Sequence, residues 1–408
     1  MMGGFRFLLP LAWRSLWRNP RRTFITMLVV CVGLWSVLTF AVLLRAWSAS
    51  SRDVAIRTIT GEGQIHAQGY LDDPTVAHRL PPPDAGLMAV LNGGAVSAYS
   101  ARVRLSAIVQ SEYKTLPVTL VGVQPAHERQ ISVLPAQITA GHYLSGPDDV
   151  GIVLGSNLAR RLKTRVGKRV VVMVQAADGH LAERAFQVVG LFAGPRTAED
   201  EFVFTGLKTA QRFTGIGSDL SEIAFDVSND AALPGVLAAL ERAVPGADVQ
   251  SWKTLEPLSY AVSTFFDQFV LMWLWIIFLL MGFGIVNTQL MAVLERTREF
   301  GLLQALGMRP RLVLLEVALE SVFLVGLGVA LGAAAALATV SAFPKGIDLG
   351  FLARGAELAG AGHILYPVIV PSDFVTYSLM VWVLGVLATL WPARRASKVS
   401  PVEAMSHI

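Results

Sequence analysis

The chain has 408 residues, 53% of them hydrophobic and 16% charged, with a mean hydropathy of +0.53. A soluble globular domain carries about 25% charged residues, so this balance points to a membrane protein and excludes a disordered tail, a collagen-like fibre and a disulfide-stapled secreted domain. Lys+Arg 34 against Asp+Glu 30 leaves a net charge of +4, too little for a nucleic-acid binder, and the single Cys31 cannot close an intramolecular disulfide.

In chain order, residues 1–22 come first, with five arginines and no acid. FRFLLPLAWRSLWRN places Leu9, Trp13, Leu16 and Trp17 on one helical face and Arg14 and Arg18 on another. That mixture suits the headgroup region and predicts an amphipathic elbow helix, closed by the Asn19-Pro20 turn. Residues 23–44 carry no charge and form the first predicted transmembrane helix. The run exceeds the apolar core of about 7–15 residues in a signal peptide, so it reads as retained. Residues 45–264 have ordinary soluble composition. GQIHAQ, RVRLSAIVQ, LPVTLVGVQ, RVVVMVQ, RAFQVVGLF and SEIAFDV read as strands, and SNLARRLKT and AALPGVLAALERAV as helices. The prediction is a mixed α/β domain with no internal repeat. Residues 45–59 and 258–280 lack glycine and proline, so the helices flanking this domain are expected to project from the membrane as a stalk.

The second, third and fourth transmembrane helices are predicted at 265–294, 312–343 and 374–391. The third is charged only at Glu316 and Glu320, one turn apart near its start, where Arg296, Arg298, Arg309 or Arg311 could pair with them. Structural pairing suits this shallow depth better than ion transport. Gly326, Gly328, Ala330 and Gly332 in the same helix give the small-residue spacing of a close helix contact, within or between protomers. The short loop 295–311 and the tail 392–408 are rich in arginine and lysine, whereas 344–373 has only Lys345 and Arg354 against Asp348, Glu357 and Asp373. The bias places both termini and loop 295–311 in the cytoplasm and the large domain and 344–373 outside. The expected fold class is membrane α-helical, four spans with both termini cytoplasmic, bearing a large mixed α/β extracytoplasmic domain between the first two.

Chemistry-bearing motifs are scarce. The 408 residues contain no G-x-x-x-x-G-K-[ST] loop, no G-x-S-x-G elbow and no H-E-x-x-H pair. The densest segment is ERTREFGLLQALG at 295–307. Alternating charge there precedes Phe300, Leu302, Leu303 and Leu306, expected to form an apolar ridge that a partner groove would grip.

This segment resembles the permease subunits of the MacB/FtsX/LolC superfamily of ABC transporters, lipoprotein-release type, type VII fold. Their signature is approximately E-x-x-R-E-[IF]-G-[LI]-L-x-A-[LI]-G, followed by a helix with an E-S pair. Glu295, Arg298, Glu299, Phe300, Gly301, Leu302, Leu303, Ala305, Leu306, Gly307, Glu320 and Ser321 match it, with Phe300 replacing the commoner aliphatic. LAWRSLWRNPRRT resembles the family's entry to its first helix, and PARRASKVSPVEAM its tail. VLGSNLARRLKTRVGKRVVVMVQ with FQVVGLF is similar to its periplasmic core domain.

The resemblance implies a non-catalytic permease subunit in a bacterial inner membrane, without a cofactor of its own. ATP and Mg would be bound by a separate cytoplasmic ATPase subunit. The implied ATPase-coupling residues are Glu295, Arg298, Glu299, Phe300, Gly301, Leu302, Leu303, Leu306 and Gly307. Further partners would be a second copy or a homologous permease, membrane lipids, and a periplasmic adaptor or lipoprotein acceptor. The work done outside would be release of lipoproteins or other lipid-like substrates. Met272, Trp273, Trp275, Phe278 and Met281 are candidate lining of an apolar cavity for them. Export of drugs, peptides or toxins through a tripartite pump, and signalling to a cell-wall hydrolase without transport, are the alternatives.

Overall fold

The computed structural model describes residues 2–350, 355, 362 and 364–397. Arg354 and Glu357 of the predicted outer loop and the tail beyond Ser397 lie outside the described residues. The chain divides into two compact units, Met1–Ser48 with Thr264–Asp348 and Ile364–Ile408, and Ala49–Ser263 with Leu349–His363.

The first unit is helical. α1 spans Met2–Arg18, α2 Pro20–Ala55, α3 Pro257–Glu295, α4 Thr297–Ala305, α5 Pro310–Ser341 and α6 Pro371–Ser397. Among the described residues, α2, α3, α5 and α6 are the helices long and apolar enough to cross a membrane. Helices suit that solvent because each satisfies its own backbone hydrogen bonds. Pro20 and Pro310 stand at helix starts, where a missing N–H costs nothing. α2 stays helical to Ala55 and closes in a π-helical turn, Ile56–Thr60, ended by Gly61 at φ +72°.

Val30, Leu34, Val37 and Leu38 of α2 pack with Leu274, Met281 and Ile285 of α3, Val325 and Ala336 of α5 and Val381 of α6. The glycines of α5 explain how closely it lies to α2. A Cβ on Gly328 would stand 2.7 Å from Val30 Cβ, and one on Gly332 2.7 Å from the Cys31 carbonyl oxygen. The small-residue contact is therefore within one chain. A Cβ on Gly326 would instead face Trp382 of α6, 3.5 Å from its Nε1.

The second unit holds a ten-stranded sheet. Its strands are β1 (Gly63–Ala67), β2 (Val96–Gln110), β3 (Thr115–Val123), β4 (Ile138–Gly141), β5 (Gly151–Gly155), β6 (Arg169–Gln175), β7 (Leu181–Phe192), β8 (Phe202–Gly206), β9 (Glu222–Val227) and β10 (Ala247–Ser251). The order is β10-β1-β9-β2-β3-β8-β5-β7-β4, with β6 pairing both β2 and β7. That last strand closes β2, β3, β8, β5, β7 and β6 into a ring. Alternate residues fill it: Val103, Leu105, Ala107 and Val109 of β2 meet Val170, Val172 and Val174 of β6 and Phe186 and Val188 of β7. The β10-β1-β9 extension has its own core, where Ile65, Ile223, Phe225 and Val249 pack beside helices Ala85–Leu91 and Leu233–Ala243.

The neighbouring residues on β2 point to the opposite face. Arg102 is fully buried there, forked onto Glu128 with two 2.8 Å bonds and 2.9 Å from Glu222, its cross-strand neighbour. It also donates to the Ile59 carbonyl, and Ser100 donates to Glu128 at 2.8 Å. The fork geometry lets one guanidinium satisfy both carboxylates. This ties the π-helical turn, the sheet and helix Pro125–Ile131 to one point.

Candidate functional site

The site begins where α3 stops. Glu295 is its last residue, and Arg296 leaves helical geometry at φ −101° and ψ 12° before α4. Gly307 ends α4 at φ +99°, a conformation that glycine adopts without strain. Its N–H bonds to the Gln304 carbonyl, and that of Met308 to Leu303, so the last carbonyls of the helix are satisfied. Arg309 and Pro310 then start α5.

The two faces of α4 differ. Phe300 is 1% exposed and packs with Val293, Val313, Val317 and Ala393; Gly301 is buried beside it, and Leu303 is half-buried on the same cluster. Leu302 and Leu306 are 59% and 78% exposed. The apolar ridge expected from the sequence is thus divided. Phe300 belongs to the core that holds the loop, because its ring is drawn between α3, α5 and α6, and Leu302 with Leu306 carry the outward surface. Arg298, Arg309 and Arg311 are exposed around that surface.

Arg296 is the hub on the inner side. Its Nη1 donates to Ser15 Oγ at 2.7 Å and to Glu320 Oε2 at 3.0 Å, and its Nη2 lies 3.3 Å from Glu316 Oε1. Nε reaches Glu299 at 3.3 Å, and the guanidinium sits 5.1 Å from the centroid of the Phe300 ring. Ser15 Oγ in turn donates to Glu320 at 2.9 Å. Arg22 adds ion pairs to Glu320 at 3.3 Å and Glu295 at 3.6 Å, and Arg18 pairs with Glu299. Glu316 and Glu320 are both buried, so neither could stay ionised there cheaply without these partners.

Of the four arginines the sequence offers as partners, Arg296 alone makes ion pairs to Glu316 and Glu320 among the described residues. Ser15 and Arg22 complete the cluster and were not anticipated. No local signal marks them, since about 300 positions separate them from Glu320. Both glutamates are thus ion-paired, Glu316 to Arg296 and Glu320 to Arg296 and Arg22. For Glu299, the bond from Arg18 comes first, and Arg296 adds to it; together they hold the carboxyl below its ordinary value.

The five candidate lining residues of α3 do not share a face. Trp275 is 52% exposed and Met272 is exposed with it, whereas Met281 is 2% exposed. Met272 and Met281 are nine positions apart, which at about 100° per residue sets them on opposite sides of the helix. Met281 Sδ fills the space over Gly33 of α2, so it is a packing residue and not cavity lining. Trp273 is half-buried with its ring 5.1 Å from that of Phe40, and Phe278 lies against Trp275 at 5.9 Å.

Two family models match the chain. That of the MacB-like periplasmic core domain covers residues 23–243, and that of the FtsX-like permease C-terminal covers residues 271–401. The chain belongs to the FtsX- and MacB-like permease family. This permease is similar to the lipoprotein-releasing system transmembrane protein LolC of Neisseria meningitidis serogroup B, 23% identical over 99% of this chain and 98% of that protein. It is also similar to the macrolide export ATP-binding/permease protein MacB of Rhodospirillum rubrum, 26% identical over 100% of this chain. It spans 61% of the length of that MacB. Among solved structures, the periplasmic region of MacB from Actinobacillus actinomycetemcomitans aligns over 50% of this chain and 94% of its own, with a TM-score of 0.36 and 15% identity.

Proposed function

We propose that this permease is the membrane subunit of an ATP-driven ABC transporter and that α4 is where a separate ATPase subunit pushes on it. ATP and Mg belong to that ATPase. The observation that carries the reading is the division of α4 into an exposed Leu302/Leu306 surface and a buried side bolted through Arg296 to α1 and α5. A load applied to the two leucines would reach α1 and α5 through one guanidinium. The coupling set is accordingly Glu295, Arg298, Glu299, Gly301, Leu302, Leu303, Leu306 and Gly307, with Phe300 as the anchor beneath it.

The arginine-rich segments support a topology in which both termini and α4 lie on the cytoplasmic side of a bacterial inner membrane and the core domain lies on the other. α3 runs as one 39-residue helix from Pro257 to Glu295, a rod suited to carrying the stroke outward. Its outward Met272, Trp275, Leu279 and Phe283 form an apolar face that suits a second permease copy or lipid. Release of a lipoprotein or similar lipid-like cargo to a periplasmic acceptor is the favoured work, supported by similarity to LolC over nearly its whole length. Export with a periplasmic adaptor is the second reading, supported by similarity to MacB.

The test is Leu302→Asp with Leu306→Asp in the full chain, expressed in its native host and purified with the ATPase subunit that accompanies the parent chain. Membrane insertion stays intact and co-purification of the ATPase falls at least tenfold. Undiminished co-purification would overturn the coupling role. Material that co-purifies with the intact complex separates the two cargo readings: acylated protein for the first, an adaptor for the second.

A further inference from the structure

α2 and α3 join the core domain beside each other: the Trp252 N–H donates to the Glu62 carbonyl at 3.0 Å, and Thr60 Oγ1 donates to Glu256 at 3.1 Å. The two attachments are built differently.

A helix end leaves its last carbonyls without partners. In the π-helical turn that closes α2, all five carbonyls are answered. That of Ile56 accepts from the Gly61 N–H at 2.8 Å and that of Arg57 from the Val133 N–H at 2.9 Å. That of Thr58 accepts from Ser132 Oγ at 2.6 Å and that of Thr60 from Gln64 Nε2 at 2.8 Å. The Ile59 carbonyl takes the Arg102 guanidinium, which Glu128 and Glu222 hold in turn. These donors come from β1, from β2 and from the residues after helix Pro125–Ile131, three separate parts of the core domain. Ile56 and Ile59 are buried in two different hydrophobic clusters of that domain. Opening the turn would leave several buried polar groups unpaired at once, so it opens only with the domain around it.

The attachment of α3 has no such set. The chain is anchored as far as Glu256: Trp252 is buried beneath Arg52, whose guanidinium stands 5.6 Å from its ring centroid. Glu256 then leaves helical geometry at φ −121° and ψ 63°. Pro257 follows as the first residue of α3 and has no N–H to tie it back. Beyond it Leu258 is 76% exposed and Ala261 is exposed, while Tyr260 meets Trp252 edge-on at 6.0 Å. Exposed residues on one side of a non-helical residue and a proline mark a place of low local stability.

We infer that the core domain is locked to the end of α2 through the five carbonyls of Ile56–Thr60 and pivots on α3 at Glu256-Pro257. A rod that meets its load at a pivot pushes without twisting it, so the domain keeps the orientation of α2 while α3 changes its angle. The inference gives the proposed stroke its route and rests on that reading for its purpose alone.

Distances between paired nitroxide labels, read by double electron–electron resonance, test it on the full chain in a neutral detergent. In a Cys31→Ser background, Lys114→Cys supplies the reference label. Lys114 is exposed beyond Gln110, which lies eight residues along β2 from Arg102, about 26 Å. It is paired once with Asp53→Cys on α2 and once with Ala261→Cys on α3, both exposed. The two pairs share the reference, so a difference in width arises at the helices. The α2 pair is expected to give a single narrow distribution and the α3 pair one at least twice as wide. Ser132 and Gln64 are the donors whose loss orphans no buried charge. Ser132→Ala with Gln64→Met should widen the α2 pair at least 1.5-fold and leave the α3 pair unchanged. Ser132→Thr keeps the hydroxyl and should keep the α2 pair narrow, with an unaltered melting midpoint. Equal widths for the two parent pairs, or an α2 pair indifferent to the loss of both donors, would overturn the inference. The ATPase takes no part in the measurement, so a failure of the coupling role of Leu302 and Leu306 leaves this result standing.

Discussion

Replacing Arg296 by methionine is the most informative perturbation of the loop. The change keeps an apolar stem of similar length over Phe300 and removes the charge. Its cost is not shared evenly among the partners. Glu299 is well exposed and keeps Arg18, so its share is about 0–1 kcal/mol. Glu320 keeps Ser15 at 2.9 Å and Arg22 at 3.3 Å. Glu316 loses the hydrogen bond to Oε1 and already has no partner at Oε2, so it becomes a buried carboxylate with nothing to answer it. Breaking a buried pair from one side costs about 3–5 kcal/mol. Arg296→Met should therefore lose about 3 kcal/mol or more in unfolding from mixed micelles. Adding Glu316→Gln removes the orphan charge and should recover roughly half of that loss, a coupling that a double-mutant cycle reads directly. Arg296→Lys should fall between, because one ammonium cannot match a planar fork that serves Ser15, Glu299, Glu316 and Glu320 at once. A single variant within about 0.5 kcal/mol of the parent, or no recovery in the double variant, would refute this account of the cluster.

The helix contact and the core domain give two more tests. Gly332→Val should cost about 1–3 kcal/mol by overpacking, because the new Cβ meets the Cys31 carbonyl, which cannot rotate away; Gly326→Ala, in ordinary contact with Trp382, should be near neutral, and equal melting of the two variants would count against the packing. Burial raises Asp226 from 3.8 to about 6, although the Glu62 N–H it accepts pulls the other way. The folded chain thus holds a proton that the unfolded chain has released between pH about 4 and 6, so stability falls as pH rises through that window and levels off above it. The gain on going from pH 7 to below 4 is about 2 kcal/mol for this group after allowing for its partial exposure, and Asp226→Asn should flatten that slope in melts run across the range; an unchanged slope would assign it elsewhere.

Much of the core domain was readable strand by strand. The six strands with β-branched alternation correspond to β1, β2, β3, β6, β7 and β9. The four that sequence reading missed, β4, β5, β8 and β10, are short. β5 and β8 are buried at every residue, so they show no alternation to detect. Their glycines carry the reason. A Cβ on Gly155 would stand 2.1 Å from the Glu199 carbonyl oxygen, and one on Gly206 2.5 Å from that of Pro147. Those contacts come from the assembled domain and leave no local signature. The same applies to Phe300, which the pattern of α4 groups with Leu302 and Leu306 although its ring turns the other way.

The amino-acid sequence alone determined the four apolar spans, the mixed domain between the first two and the charged loop that leads to the family. Each of these is a local property: a length of apolar chain, an alternation, or a run of residue types. Tertiary structure decided which groups neutralise which. Ser15 and Arg22 come to Glu320 from the other end of the chain, and Glu128 and Glu222 converge on Arg102. Buried charge must find its counter-charge wherever folding brings one, and that distance is invisible to any window on the sequence.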